Sequence, residues 1–142
     1  MNFKDCLLKG LIRKDKYAPE RIKKSLEIAE RFLTSGRKNI EIKELEMAEI
    51  AAYSSIFHSA RSLLFKKEYT ERSHICVILA LKELYKNNHV LIELLNTFDK
   101  IRISRHNIQY GGILIDKEEA MFVYEFAKQF LEKTKKIIKE MQ

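Results

Sequence analysis

Apolar residues recur along most of this chain at steps of three and four, the spacing that gathers them on one face of an α-helix. Ile22, Leu26, Ala29 and Leu33 form the first such face. It opens near Pro19, whose fixed φ suits a first helical turn, and closes at Ser35-Gly36. From about Glu41 to Lys67 a second helix carries Ile50, Tyr53, Phe57, Ala60 and Leu64, with Ile56 and Leu63 widening the stripe. Its small residues, among them Ala51, Ala52, Ser55 and Ser59, let a neighbouring helix approach closely. A third helix, from about Glu71 to Asn87, buries Ile75, Ile78, Leu79 and Leu81, and a fourth runs from about Val90 to Gly111-Gly112. The last opens at Asp116, where Asp-Lys-Glu-Glu reads as a capping box with Glu119 reaching back. It has two apolar seams: Ala120, Val123, Ala127, Leu131 and Ile138 on one, Phe122, Phe126 and Phe130 on the other. A helix apolar on two faces is either central or turned toward a second copy. Short connections between long amphipathic helices predict antiparallel neighbours. The expected fold is all-α, an up-and-down bundle of four to five helices in one domain over residues 1–142, with 1–18 as a loosely attached N-terminal segment.

The pattern is broken in one place. Leu91, Leu94, Phe98 and Ile101 lead along the fourth helix toward Ile108, and Arg105 occupies the step between, on the same apolar stripe. An unpaired buried charge costs several kcal/mol. Arg105 is therefore expected either to meet a carboxylate such as Glu49 or Asp99, or a helix C-terminus, or else to line a cleft open to an anion such as phosphate. Arg102, His106 and Tyr110 are spaced i, i+4, i+8 and share another stripe, on which a phosphate and an imidazole would lie together. The alternative for His106 is a solvated side chain beside a helix end.

Lys and Arg total 27 against 20 Asp and Glu, a formal charge of +7. Such a surplus favours nucleic acid or an acidic protein partner, or serves only to keep the surface soluble. Cys6 and Cys76 stand apart with no paired spacing and read as free thiols of a cytoplasmic protein. No apolar run reaches membrane-spanning length. The four histidines, at 58, 74, 89 and 106, have no carboxylate at ligand spacing, so neither metal nor cofactor is expected. His58 reads as a hydrogen-bonded interior side chain, His74 as a local helix cap, and Arg61 as a residue packed or paired with the first or last helix. There is no phosphate-binding glycine loop, dinucleotide fingerprint, nucleophile elbow or evident recognition helix for DNA.

The second and third helices carry a signature. Residues 52–64, Ala-Tyr-Ser-Ser-Ile-Phe-His-Ser-Ala-Arg-Ser-Leu-Leu, resemble the "YYAxFHAARALL" helix of the HEPN family. Lys67-Glu68-Tyr69 followed by Glu71-Arg72-Ser73-His74 is similar to that family's glycine-and-"KTH" connection, with Glu68 in place of the glycine. Arg105-His106-Asn107-Ile108-Gln109-Tyr110 falls where the family has its Arg-x(4–6)-His motif, here ending in tyrosine. The resemblance covers about residues 20 to 140. It implies a homodimeric helical bundle whose motif arginines approach one another across the dimer cleft. Many members are metal-independent ribonucleases, often toxins, and many are encoded beside a minimal nucleotidyltransferase that acts as antitoxin.

By this resemblance Arg105 binds the scissile phosphate, and the motif histidine helps to activate the ribose 2′-hydroxyl. Tyr110 stands in the histidine's place. With an ordinary pKa of roughly 10 it is a poor base at neutral pH, though it can donate a hydrogen bond to phosphate. His106 is then the imidazole that would compensate. The reading that follows is a HEPN-type homodimer acting with a minimal nucleotidyltransferase in a toxin–antitoxin-like or nucleotide-processing pair. Arg102, Arg105 and Asn107 would bind the phosphate of RNA or of a nucleotide. One alternative is an active metal-independent endoribonuclease toxin with Arg105, His106 and Tyr110 as its catalytic residues. Another is a non-catalytic dimer that binds nucleotide or RNA.

Overall fold

In the computed structural model, which describes residues 1–141, the chain is almost entirely helical. It runs α1 (Phe3–Leu8), β1 (Ile12–Lys14), a 3₁₀ turn (Ala18–Arg21), α2 (Ile22–Glu41), α3 (Leu45–Lys66), β2 (Tyr69–Glu71), α4 (His74–Leu84), α5 (His89–Gly111) and α6 (Lys117–Glu140). The all-α class follows the periodicity, with six helices among the described residues rather than four or five. The one ribbon among the described residues is antiparallel, pairing Ile12 with Glu71 and Lys14 with Tyr69. No helix among the described residues is long and apolar enough to cross a membrane.

Helices α2 and α3 form an antiparallel hairpin held by serines. The Ser25 hydroxyl donates to the His58 carbonyl at 2.8 Å, and the Ser55 hydroxyl to the Ala29 carbonyl at 2.8 Å. Gly36 lies between them, and a Cβ there would meet the Ala48 carbonyl oxygen at 3.5 Å. Helix α2 therefore does not stop at Ser35-Gly36. Gly36 serves close packing instead of termination, and the chain turns at Lys43, which adopts a left-handed φ of 63°.

Helix α6 lies against both members of the hairpin; on α2, Lys135 pairs with Glu30 and Tyr124 faces Gly36. Val123, Ala127 and Leu131 are buried, and so are Phe126 and Phe130. Both seams thus enter the core, and the two-faced helix is central, with Phe122 left exposed. Asp116 caps α6 by accepting the Glu119 amide N–H at 2.9 Å. The expected reciprocal bond is not made, because the Glu119 carboxyl turns to Glu49 of α3.

Residues 1–18 supply α1 and β1, which rest on α4 and β2. Cys6 and Cys76, expected as free thiols, are fully buried and joined in a disulfide that ties α1 to α4. Isolated positions in the chain carried no sign of this, since the packing of α1 on α4 is what makes them neighbours. The third helix is shorter than its apolar pattern suggests. Strand β2 takes Tyr69–Glu71, and α4 starts behind Ser73, whose hydroxyl oxygen accepts the Cys76 N–H at 3.3 Å. His74 is consequently not the cap.

Candidate functional site

Helix α5 presents Arg102, Arg105 and Gln109 along the side facing the middle of α3 and the start of α4. The Arg105 guanidinium carbon lies 4.4 Å from the centroid of the Tyr53 ring, and Nη1 donates to Gln109 Oε1 at 2.8 Å. Neither expected carboxylate reaches it. Asp99 accepts from Arg102 Nε at 2.9 Å, and Glu49 accepts the Ser104 hydroxyl at 2.7 Å. Among the described residues Arg105 forms no ion pair, and its Nε is buried without a hydrogen-bond partner. An aromatic face stabilises a cation by about 0.5–2 kcal/mol, which leaves most of the guanidinium's capacity unused.

Glu49 explains part of this arrangement. It is fully buried where α3, α5 and α6 meet, and burial pushes its carboxyl up to about 8. A hydrogen bond shared with Glu119 adds to the rise, and the Ser104 hydroxyl only partly offsets it. At neutral pH Glu49 is the protonated acid and has no charge to offer Arg105.

Tyr53, 3 % exposed, has its hydroxyl oxygen 2.7 Å from His74 Nδ1. Burial raises the phenol above its ordinary range against the pull of Arg105 and Arg102. Burial also holds His74 below the usual imidazole range, and the positive charges of Arg105, Arg102 and Arg61 lower it further. Both groups are therefore neutral at pH 7. The Phe57 ring stacks on His74 with centroids 4.0 Å apart.

Arg61 does not pair with the first or last helix. It meets Glu71 of β2 at 2.7 Å and lies 5.1 Å from the Phe65 ring, because the tight turn after α3 folds β2 back along that helix. His58 is half-buried, with its ring against Phe32 of α2 at 5.7 Å and Arg61 Nη1 at 3.4 Å from Nδ1. Burial first, then Arg61 and His74, lower it to about 4.

The residues singled out in the sequence are divided by this geometry. Arg102 and Arg105 belong to the Tyr53–His74 face. His106 and Tyr110 point outward on the next flank of α5, their rings 4.9 Å apart, with Tyr110 70 % exposed. Asn107 accepts backbone N–H groups that close the helix and lines a groove with Ser104, Asp116 and Glu119. Tyr53 and His74 were the unforeseen members. One signal was available: a tyrosine set in an apolar stripe must find a partner for its hydroxyl.

Chemically, the arrangement is one unclaimed guanidinium beside two carboxylate-paired ones, with a neutral imidazole among them, open at an exposed edge. It suits an oxyanion.

A sequence profile of the HEPN domain matches residues 22–138. The chain is also similar to two proteins of Methanocaldococcus jannaschii. It is 30 % identical over 138 residues to the one named "Putative toxin MJ0605", covering 94 % of this chain and 99 % of that protein. It is 31 % identical over 119 residues to "Putative toxin MJ0142", covering 82 % of this chain and 81 % of that protein.

Proposed function

The chain belongs to the HEPN family, and on that premise we propose that it is a toxin-type member, a homodimer acting with a minimal nucleotidyltransferase. Its α5 face binds the phosphate of RNA or of a nucleotide. The observation that carries the reading is Arg105: a half-buried guanidinium on an apolar stripe, stacked on Tyr53, with no carboxylate partner among the described residues. A guanidinium so placed keeps donors free for an incoming anion. The formal +7 supports an acidic or polyanionic partner.

Support for the dimer comes from the connection between α5 and α6. Ile113 and Leu114 are exposed there, lining a groove with the exposed Ile103 of α5, and Phe122 is exposed on α6. Apolar side chains gathered next to a cationic cleft suit a second copy of the chain, which would bring two arginine clusters together. Asn107, at the edge of this apolar surface, would contribute to phosphate binding from the partner side of the cleft.

The test is co-purification with a nucleotidyltransferase encoded nearby, combined with RNA binding and cleavage assays in EDTA. Binding that falls in Arg105→Ala and weakens with added salt supports the reading. The endoribonuclease reading rests on His106, an exposed imidazole beside Tyr110 on the flank of α5 next to the Arg102–Arg105 face. It requires cleavage without metal, leaving 2′,3′-cyclic phosphate ends and lost in His106→Ala. Binding without turnover identifies a non-catalytic dimer. Neither RNA nor nucleotide bound, and no partner captured, would reject the proposal.

A further inference from the structure

We propose that Tyr53 and His74 form a proton-fixed pair presenting a neutral imidazole N–H donor to the phosphate that Arg105 receives, so that His74 binds the ligand and is not its general base. The assignment rests on the phosphate-binding reading of Arg105 and deepens it.

Three elements converge here: Tyr53 from α3, His74 as the first residue of α4, and Arg105 from α5. The Tyr53 hydroxyl is buried, and a buried O–H without an acceptor costs on the order of 1–3 kcal/mol. It faces His74 Nδ1 at 2.7 Å and the Arg105 guanidinium, and of the two only His74 can accept a proton. The phenol therefore donates and Nδ1 accepts, which requires Nδ1 to be bare. A neutral imidazole carries one ring proton, so that proton is on Nε2.

The ring is held in its plane by Phe57, stacked at 4.0 Å, and Nε2 lies on the side of the ring away from Tyr53. His74 is exposed at this edge, and Nε2 has no hydrogen-bond partner among the described residues. A directed donor is thus left open to solvent beside Arg105.

The charged neighbours keep the donor neutral. On α3, Arg61 faces His74 while paired with Glu71 of β2. His58, also on α3, lies near enough for His74 to lower it in turn. On α5, Arg102 is paired with Asp99, and Arg105 has no carboxylate. Two of three guanidiniums are matched, so the local surplus is positive and an imidazolium is disfavoured. The ligand chemistry is an oxyanion met by one guanidinium and one neutral N–H. A phosphodiester of RNA and a phosphate of a free nucleotide both have it. Because Nε2 keeps its proton and Nδ1 is occupied, His74 has no free lone pair with which to take a proton from a 2′-hydroxyl.

The experiment measures binding of a fluorescent oligoribonucleotide of about ten nucleotides, the span of a typical single-strand site, and separately of ATP. It compares the wild-type chain with Arg105→Ala, His74→Ala, His74→Gln and Tyr53→Phe. Imidazole ¹⁵N–¹H NMR reads the tautomer of His74. The expected result is the Nε2–H form in the wild type, with an Nδ1 resonance that moves toward the value of free imidazole in Tyr53→Phe, where its hydrogen bond is lost. Affinity should fall about tenfold in His74→Ala, the effect of one hydrogen bond to a charged group. His74→Gln, which keeps an amide donor, should recover part of it. RNA binding without ATP binding makes the ligand a phosphodiester, and the converse makes it a nucleotide. A proton on Nδ1, or His74→Ala binding like wild type while Arg105→Ala does not, overturns this assignment and leaves the reading of Arg105 standing. Failure of the wild type to bind either probe overturns both.

Discussion

Arg105 covers the face of Tyr53, its guanidinium carbon 4.4 Å from the ring centroid, and so joins the arginine of α5 to the aromatic centre of α3. The contact is a resting place for the charge and does not neutralise it. Arg105→Ala is therefore expected to change folding stability by less than about 1 kcal/mol, the scale of a partly exposed cation–π contact, while phosphate or RNA binding falls at least about tenfold. Arg105→Lys should also bind poorly, since an ammonium offers no planar fork. Denaturant titration beside a binding assay separates the two quantities. A stability loss above about 2 kcal/mol, well beyond that contact energy, would make Arg105 a structural residue.

Glu49 sets an alkaline limit on stability. Its folded pKa, pushed up to about 8, exceeds the unfolded value of 4.5, so the folded state holds a proton that the unfolded chain releases. Stability from this group is complete below pH 4.5 and declines as pH rises toward 8. Glu71, raised by burial, adds to the same slope. His58, lowered to about 4, acts oppositely and weakens the fold as pH falls below 6.5. Glu49→Gln should flatten the decline and stabilise the protein at pH 8 by on the order of 2 kcal/mol. Urea melts at a series of pH values give the answer, and an unchanged slope would count against a protonated Glu49.

Gly36 offers a stabilising substitution where a packing glycine would suggest harm. A Cβ at this position would lie 3.5 Å from the Ala48 carbonyl oxygen and 3.6 Å from the Ala52 nitrogen, ordinary contact distances. Gly36→Ala should raise stability by about 0.5–1 kcal/mol, because alanine loses less backbone entropy in a helix. Thermal unfolding decides it; a clear loss would mean that α2 and α3 cannot move apart by even a few tenths of an ångström.

The Cys6–Cys76 bridge closes a loop of sequence separation 70. Chain-entropy reasoning gives about 4 kcal/mol for a loop of that length, and measured effects commonly reach 2–4 kcal/mol. Reductant, or Cys6→Ser with Cys76→Ser, should lower the unfolding free energy by about that amount. Proteolysis should then begin in residues 1–18. Equal stability with and without reductant would show that the bridge contributes nothing.

Leu114 is 81 % exposed in the α5–α6 connection. If this surface meets a second copy, Leu114→Asp should yield a monomer by sedimentation at tens of micromolar, roughly the range in which weak association is seen. A wild-type chain that is itself monomeric there would exclude the interface.

Local rules carried much of this. The boundaries of α5 and α6 were legible because Gly111-Gly112 and Asp116 act within one helical turn, and the helix signature of residues 52–64 identified the family ahead of any packing. The errors share one origin. Gly36 looked like a stop, Glu71 like helix, and Cys6 and Cys76 like free thiols, because each was judged by its neighbours in the chain. What decided them came from between 12 and 70 residues away, in the Ala48 backbone, the β1 strand and the α1–α4 contact.

The sequence by itself determined the helical class, the family and the presence of an arginine where an apolar residue would have packed. Those properties follow from backbone periodicity and the cost of burying charge, which act wherever the chain goes. Only the tertiary structure decided that Arg105 meets Tyr53 and no carboxylate, that Asp99 and Glu49 are already engaged, and that His74 takes its proton arrangement from Tyr53. Hydrogen bonds and ion pairs are settled over three or four ångströms in space, and which side chains come that close depends on how α3, α4 and α5 pack.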